Sequence, residues 1–301
     1  MGAADGSIFA RHSLEAGGFD VSYLKGGHDG DMDPVVYLHG LGGGGKWEAY
    51  LMTMGTVALT YALQLPGWPD GQAPESITSV QDYADWVIAF MDAAAIDRCV
   101  LAGHSFGGWV ALSLCVAHPE RFSRMILANP MGLTADDPPP NLADMDEETF
   151  AKATFGRLGL IATAQPDGFG AEWENVRRGP EFERQWKGKG LVAGLINGPS
   201  SDPGLTQQLG TITAETLLVW GREDGIVPLA HGEALHNALP NSNLYVIDRC
   251  GHLPMAEKPE TFNRIIRDFL VGDHQDIPEV VRVYSSAPPV NFLPPSSYRD
   301  K

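Results

Sequence analysis

The chain has 301 residues, of which 44% are hydrophobic and 20% are charged, a composition typical of a globular protein with a substantial core. Its formal net charge of −17 disfavours nucleic acid and anionic membrane surfaces as partners, because long-range repulsion opposes both. No apolar run is long enough for a membrane span, and the first residues show no secretory leader. We therefore expect a cytoplasmic protein with no nucleic-acid and no membrane partner, and the oligomeric state stays open.

Strand-like and helix-like segments alternate along most of the chain, which predicts an α/β fold with a largely parallel sheet. Short apolar runs predict buried strands, and an alternating apolar–polar segment predicts a half-exposed strand before them. The predicted strands cover residues 19–25, 35–38, 57–65, 99–102, 124–128, 217–220 and 244–247. Apolar residues at helical spacing predict helices over 77–96, after residue 105, and over 261–270.

The alternation stops between residues 131 and 213, where no strand-like run occurs. This segment starts with an aspartate- and proline-rich stretch and continues with helical patches that contain Phe150, Phe155, Trp173, Phe182 and Trp186. We interpret it as a helical cap, or lid, over the carboxyl edge of a sheet formed by core segments 1–130 and 214–271. Residues 272–301, with many prolines and serines, are predicted to be a weakly ordered tail.

The three cysteines, Cys99, Cys115 and Cys250, have neither the spacing of metal ligands nor that of a disulfide framework. We interpret them as small buried side chains in a reducing compartment.

Residues 103–107 read Gly-His-Ser-Phe-Gly, between a short apolar run and a segment with helical periodicity. This is the G-x-S-x-G pattern in a strand–turn–helix setting. The tight turn requires glycine on both sides and holds the central serine in a strained conformation that presents its hydroxyl. Ser105 is therefore the predicted nucleophile.

A serine hydroxyl needs an adjacent base, which an acidic residue orients. Asp224 lies in the loop after the strand at 217–220, and His252 lies just past the strand at 244–247. Because the carboxyl ends of parallel strands meet at one edge of a sheet, both can converge on Ser105. We predict His252 as the base and Asp224 as the acid, with Glu223 and Asp248 as the competing acids.

Acyl transfer also requires two backbone N–H donors for the oxyanion. One is predicted from Phe106, the residue after the nucleophile. The second is predicted from Leu41, in the loop 39–45 that reads His-Gly-Leu-Gly-Gly-Gly-Gly, whose glycines allow close approach to a substrate. This glycine run lacks the Gly-Lys-Ser/Thr ending of a phosphate-binding loop, and neither a metal nor an organic cofactor is expected.

Four stretches in this order resemble the α/β-hydrolase fold family: residues 39–42, 103–108, 221–228 (Gly-Arg-Glu-Asp-Gly-Ile-Val-Pro) and 251–252. The resemblance covers residues 19–271. It implies an eight-stranded, mostly parallel sheet with a helical cap and a catalytic triad of Ser105, His252 and Asp224. The loop 64–70 departs from the Asp-x-Pro-Gly-x-Gly-x-Ser pattern of many relatives. This difference affects the expected packing of the loop, and it involves no predicted catalytic group.

His39 and His104 flank the predicted active loops, and we interpret them as neutral histidines that brace these loops by hydrogen bonds. Residues beside the loops are predicted to line the substrate pocket. They are Gly42, Trp47, Met131, Ile226, Val227 and Leu253.

The predicted function is serine esterase: hydrolysis of carboxylic esters with small to medium acyl groups, with a small-molecule ester as the partner. Serine at position 105, in the tight turn of residues 103–107 (the nucleophile elbow), argues against the haloalkane dehalogenase and epoxide hydrolase branches of the family. Members of those branches have aspartate at this position. A second hypothesis is C–C bond hydrolysis of meta-cleavage-type diketones, by capped relatives with similar stretches at 225–228 and 250–254. Those relatives usually have Asn before the nucleophile and Trp after the histidine, where this chain has His104 and Leu253, which favours an esterase. A third hypothesis is a non-catalytic ligand receptor on the same fold.

Overall fold

A computed structural model describes residues 7–68, 74–134, 139–164, 166–196, 201–272 and 280–285. The strands are β1 (Ser7–Ala16), β2 (Phe19–Gly27), β3 (Val35–Leu38), β4 (Thr60–Leu63), β5 (Cys99–His104), β6 (Phe122–Ala128), β7 (Glu215–Gly221), β8 (Ser242–Ile247) and β9 (Val280–Ser285). The helices are α1 (Ala49–Gly55), α2 (Val80–Ala93), α3 (Phe106–Ala117), α4 (Glu147–Thr154), α5 (Gly156–Ala164), α6 (Pro166–Arg177), α7 (Pro180–Ile196), α8 (Pro203–Gln208), α9 (Leu229–Ala238), α10 (Pro254–Glu257) and α11 (Pro259–Val271).

The described strands form one sheet in the order β1-β2-β4-β3-β5-β6-β7-β8-β9. The six strands from β4 to β8 in this order are parallel. The pairs β1–β2, β2–β4 and β8–β9 are antiparallel. The carboxyl ends of β3, β5, β6, β7 and β8 therefore lie at one edge of the sheet, where ligands of such sheets bind.

The sheet confirms the fold that the resemblance implied, with β1–β8 as a mostly parallel, helix-flanked sheet. Two strands were not predicted from the sequence. β1 forms a hairpin with β2 through Gly17 and Gly18, both of which have positive φ. β9 lies within 272–301, the predicted weakly ordered tail: Val280–Ser285 pairs with β8, so the prediction was wrong for these six residues. Its Val-Val-Arg-Val-Tyr sequence favours a strand, and β8 would otherwise present an unpaired edge.

Both faces of the sheet are covered, which explains the short, fully apolar strands in the centre. Along β3, Val36 and Leu38 belong to the hydrophobic cluster that includes α2 and α3. The alternating residues Val35 and Tyr37 belong to the cluster that includes α1 and α11. Side chains therefore leave β3 towards opposite layers, as the two-residue period of a strand requires.

Helices α4–α8 lie in the chain between β6 and β7, where the sequence predicted helices and no strand. Aromatic side chains join α4, α6 and α7: Phe182 contacts Trp173 edge-to-face, with ring centroids 5.3 Å apart, and stacks on Trp186 at 6.1 Å. Phe150 of α4 contacts Trp186 at 5.7 Å. These contacts supply the burial that the aromatic residues of the predicted cap require.

Several predictions concern residues outside the described ranges. They include the N-terminal residues 1–6, residues 69–70 of the divergent loop, 135–138 at the start of the cap, and 273–279 and 286–301 of the tail. Within the described ranges no helix is long and apolar enough to cross a membrane. Cys99, Cys115 and Cys250 are buried and free of disulfides, as predicted.

Candidate active site

Ser105 occupies a sharp turn between β5 and α3, with φ of 53° and ψ of −116°. A positive φ is strained for a residue with a side chain. The neighbouring glycines are required by close contacts: a Cβ on Gly103 would lie 2.7 Å from the carbonyl oxygen of Gly107. A Cβ on Gly107 would overlap the carbonyl of Leu38 in the adjacent strand. The elbow predicted from residues 103–107 is therefore present.

Ser105, His252 and Asp224 form a continuous hydrogen-bonded chain. Ser105 Oγ lies 2.7 Å from His252 Nε2, and His252 Nδ1 lies 2.7 Å from Asp224 Oδ2. Because a carboxylate only accepts, the neutral imidazole carries its proton on Nδ1 and donates it to Asp224. Nε2 is then free to accept the hydroxyl proton of Ser105. All three side chains are buried, so little water competes for these bonds.

Four donors from the described part of the chain hold the carboxylate of Asp224. The backbone N–H groups of Ile226 and Val227 donate to Oδ1 at 2.8 and 2.9 Å, and Oδ2 accepts from His252. Asn129 Nδ2 also donates to Oδ2, at 2.5 Å. Asn129 follows β6 with a φ of 45° and is fully buried. Sequence reasoning missed this residue, although its place directly after a predicted strand was a usable signal.

The two competing acids have other partners. Glu223 Oε2 accepts from the backbone N–H of Cys250 at 2.9 Å. Asp248 forms an ion pair with Arg222 on the partly exposed side of the loop. Of the three candidate acids, Asp224 is the one hydrogen-bonded to His252.

The end of α4 is hydrogen-bonded to two of the three segments that carry the triad, the loops of Asp224 and His252. The backbone N–H of Gly225 donates to the carbonyl of Ala153 at 2.9 Å, and the N–H of His252 donates to the carbonyl of Thr154 at 2.8 Å. These consecutive carbonyls are among the last four of α4, which have no partner within the helix. The predicted cap is therefore part of the support of the triad.

Glu257, a residue of the core, also holds the loop that carries His252. Its Oε1 accepts from the backbone N–H of Gly251 at 2.9 Å, next to His252. Burial raises the pKa of Glu257 to about 7, against the opposing effect of N–H donors from Gly251, Arg157 and Gly156.

The loop 39–45, the glycine loop, lies directly against the nucleophile. A Cβ on Gly40 would lie 2.9 Å from Ser105 Cβ. Phe106 begins α3, so its N–H belongs to the first helical turn, which has no partner within the helix. The N–H groups of Leu41 and Phe106 are thus on segments beside Ser105, and their role as oxyanion donors stays a prediction.

His39 and His104 brace the active loops, as predicted from the sequence. His39 Nδ1 donates to the carbonyl of Gly40 at 2.8 Å, and its Nε2 accepts from the N–H of Leu65 at 3.0 Å. His104 Nε2 donates to the carbonyl of His252 at 2.8 Å. Burial lowers the pKa of His39 to about 4 and that of His104 to about 3, so both are neutral near pH 7.

The predicted pocket residues fall into three groups. Gly42 and Leu253 line the same small cavity beside the triad. Met131, Ile226 and Val227 are buried, and the N–H of Met131 donates to the carbonyl of Ser105 at 3.1 Å. Trp47 packs edge-to-face on Phe9, with centroids 4.5 Å apart. For Trp47, Met131, Ile226 and Val227, contact with a substrate stays a prediction.

Sequence reasoning missed the contribution of α7. A Cβ on Gly188 would overlap the carbonyl oxygen of Leu41, so the backbone of α7 touches the glycine loop. A cleft of about 270 Å³ opens between these two segments, with Arg184 of α7 and Lys46 in its wall. No local pattern in the sequence indicates which residues of a cap helix face the core, because this depends on how the helices are arranged.

The sheet, the strained serine and the buried Ser–His–Asp chain together define a hydrolase of the α/β class. The family model of the α/β hydrolase fold matches residues 33–259, and the chain belongs to that family.

Curated relatives and solved structures are consistent with this membership. The chain is 32% identical over 260 residues to a 2-hydroxy-6-oxo-6-phenylhexa-2,4-dienoate hydrolase of Burkholderia cepacia, covering 81% of this chain and 89% of the relative. A serine hydrolase of Cycloclasticus zankles superposes with a TM-score of 0.64 at 24% identity, over 89% of this chain and 100% of that one. A thermophilic esterase of Thermogutta terrifontis gives a TM-score of 0.61 at 23% identity, over 88% of this chain and 100% of that one. At such identities the two structural similarities show the fold alone.

Proposed function

We propose that the protein is a serine esterase, which hydrolyses carboxylic esters with small to medium acyl groups through an acyl-enzyme at Ser105. The observation that carries this proposal is the hydrogen-bonded chain from Ser105 Oγ through His252 to Asp224, with both distances at 2.7 Å. A base in contact with the nucleophile, itself oriented by an acid, is the arrangement that makes a serine hydroxyl reactive near neutral pH.

In the first half of the reaction, Ser105 Oγ attacks the acyl carbon while its proton passes to His252 Nε2. Asp224 stabilises the imidazolium that forms and keeps the ring oriented. The N–H groups of Leu41 and Phe106 stabilise the oxyanion. When the tetrahedral intermediate collapses, the bond to the alcohol oxygen breaks and His252 returns the proton to the leaving alcohol.

In the second half, water replaces the alcohol. His252 Nε2 accepts a proton from water, whose oxygen attacks the acyl-enzyme carbonyl. Collapse of the second intermediate releases the carboxylic acid and returns the proton to Ser105 Oγ. Apart from water, this chain's own residues supply every group that the two halves use.

A second candidate is C–C bond hydrolysis of a meta-cleavage-type diketone, which the identity to the dienoate hydrolase of Burkholderia cepacia favours. Two positions weigh against it. His104, in place of the usual Asn, is engaged with the carbonyl of His252. Leu253, in place of the usual Trp, is a residue of the cavity wall whose side chain has no hydrogen-bond donor.

Turnover of p-nitrophenyl acetate, butyrate and longer esters tests the proposal, together with labelling of Ser105 by an organophosphonate. We expect turnover of the shorter esters and a covalent adduct at Ser105. Turnover of a ring-fission diketone far above that of any ester would favour the second candidate instead. Absence of both turnover and labelling would refute the proposal that the protein is an enzyme. The hypothesis of a non-catalytic ligand receptor would then remain.

A further inference from the structure

A small cavity lies beneath α7, beside the triad. Its volume of about 30 Å³ is enough for one water molecule or one hydroxyl group. On the core side its wall includes Gly40, Gly42, His104 and Leu253. Gly40 lies against Ser105 and Leu253 directly follows His252, so the cavity borders the two loops that carry the predicted nucleophile and base.

Gln185 of α7 forms part of the opposite wall and is only 3% exposed. Its Nε2 donates to Glu181 Oε1 at 2.9 Å, which fixes the orientation of the amide because a carboxylate only accepts. The Oε1 of Gln185 is buried and has no hydrogen-bond partner within the described structure. A buried carbonyl without a donor is costly, and in native proteins such a group is paired with another protein group, an ordered water or a ligand.

Two of the other polar side chains of this wall are paired with each other. Arg184 donates to the second oxygen of Glu181 and lies 3.9 Å from Glu48. Tyr37 and Tyr50, on the floor of the cavity, are in ring contact at 5.2 Å. The wall therefore offers one arginine against two carboxylates and a free carbonyl oxygen. This excess of negative charge disfavours binding of an anionic group. A neutral group that donates a hydrogen bond fits the wall better.

We propose that Gln185 Oε1 accepts a hydrogen bond from a hydroxyl group of the substrate, so that esters with a free hydroxyl group are the preferred substrates. This inference rests on the proposed esterase function and specifies the substrate class of the same site. The hydroxyl belongs to the alcohol part, as in a partial ester of a polyol, or to the acyl part, as in a hydroxy acid ester. The common chemistry is a neutral donor that fits a cavity of about 30 Å³.

The kcat/KM values of the wild-type protein for propyl butyrate, glycerol monobutyrate and propyl 3-hydroxybutyrate test the inference. We expect one hydroxylated ester to exceed propyl butyrate by about tenfold, because a buried acceptor discriminates against a ligand that leaves it unpaired. Preference for glycerol monobutyrate would place the hydroxyl on the alcohol side, and preference for propyl 3-hydroxybutyrate on the acyl side. Equal values for all three esters would overturn the inference alone, whereas no turnover of any would overturn the proposed function and this inference with it.

The variant Gln185→Met removes the acceptor at nearly constant side-chain length. We expect it to reduce the preference for the hydroxylated ester to within about twofold of unity, mainly through a higher KM for that ester. The matched control is Gln208→Met on α8, where the glutamine is exposed and donates to the carbonyl of Gly204. A tenfold preference that survives Gln185→Met would refute the assignment. Circular dichroism checks the fold of the variant, and the wild-type ratio tests the preference for hydroxylated esters even if the variant does not fold.

Discussion

The two ends of the cap contact the catalytic core in different ways. At α4, the carbonyls of Ala153 and Thr154 accept backbone hydrogen bonds from Gly225 and His252, the loops that carry the acid and the base. At α7, the contact falls on the glycine loop, and the spaces between them are lined by loop glycines and by α7 side chains such as Arg184. The first end therefore helps to set the geometry of the triad, and the second shapes the space that a substrate enters.

This difference separates the two kinetic consequences that cap substitutions can have. A displaced triad loop changes the chemical step and lowers kcat, whereas a displaced wall changes binding and raises KM. Substitutions of equal size at the two ends therefore show whether the α4 end mainly affects kcat and the α7 end mainly affects KM.

The largest expected effect comes from Ser105→Ala, which removes the predicted nucleophile itself. We expect kcat for p-nitrophenyl butyrate to fall by at least about a thousandfold. The alanine side chain would keep the strained backbone of the elbow, and the substitution removes one hydrogen bond to His252. Urea unfolding should therefore show only a small change in stability. Retention of more than a few per cent of the activity would contradict the proposed mechanism.

The next effect concerns the α4 end. A Cβ on Gly156 would lie 2.5 Å from the backbone nitrogen of Gly251, so Gly156→Ala displaces the His252 loop. We expect kcat to fall by about a hundredfold, since a misplacement near 1 Å is enough for such a loss. Steady-state kinetics measures it. An unchanged kcat combined with a higher KM would show that this end of the cap serves binding only.

The matched change at the α7 end is Gly188→Ala, whose Cβ would overlap the carbonyl of Leu41 and push α7 away from the glycine loop. The glycine loop is held to the core because Trp68 Nε1 donates to the Leu41 carbonyl at 3.0 Å, so we expect α7 to move and the predicted oxyanion donor to stay in place. KM should then rise by about tenfold, with kcat changed much less. Gly190→Ala is the control on the same helix, because nothing lies within 4 Å of its Cβ. A fall in kcat as large as that of Gly156→Ala would remove the distinction between the two ends.

The smallest effect is on stability, at Glu257. Its pKa of about 7 in the folded protein lies above the ordinary value of 4.5, so the folded state binds the proton more tightly. The contribution to stability is therefore fully present below pH 4.5 and is lost as the pH rises through 7. Relative to Glu257→Gln, the free energy of unfolding of the wild type should fall by about 1 kcal/mol per pH unit in this window. Urea unfolding at pH 5, 6 and 7 measures the difference, and parallel curves would contradict it.

Most of the core and the central site were accessible from the sequence. The elbow at Ser105 depends on glycines that local sterics demand, and Asp224 and His252 each follow a short apolar strand. Such features are local, so a single stretch of sequence reveals them. β9 was missed because its pairing with β8 is non-local, and β1 because it precedes the segment covered by the family resemblance.

The residues that surround the predicted catalytic residues were harder to predict from the sequence. Asn129 donates to Asp224 from the end of β6 to the loop after the neighbouring strand β7, and Gln185 lines the cavity from a helix far along the chain. Trp47 was predicted in the pocket, and its described contact is with Phe9. In each case the partner is fixed by packing between elements and not by spacing along the chain.

The sequence by itself determined the fold class and indicated the predicted nucleophile, acid and base, because tight turns and buried strands restrict the residue types at those positions. Tertiary structure decided which acid contacts His252, how α4 supports the loops of Asp224 and His252, and which face of α7 meets the glycine loop. These depend on the relative placement of helices over a sheet, and many cap arrangements satisfy the same hydrophobic pattern. The chemistry of the site therefore follows from local sequence, and its selectivity follows from the packing of the cap.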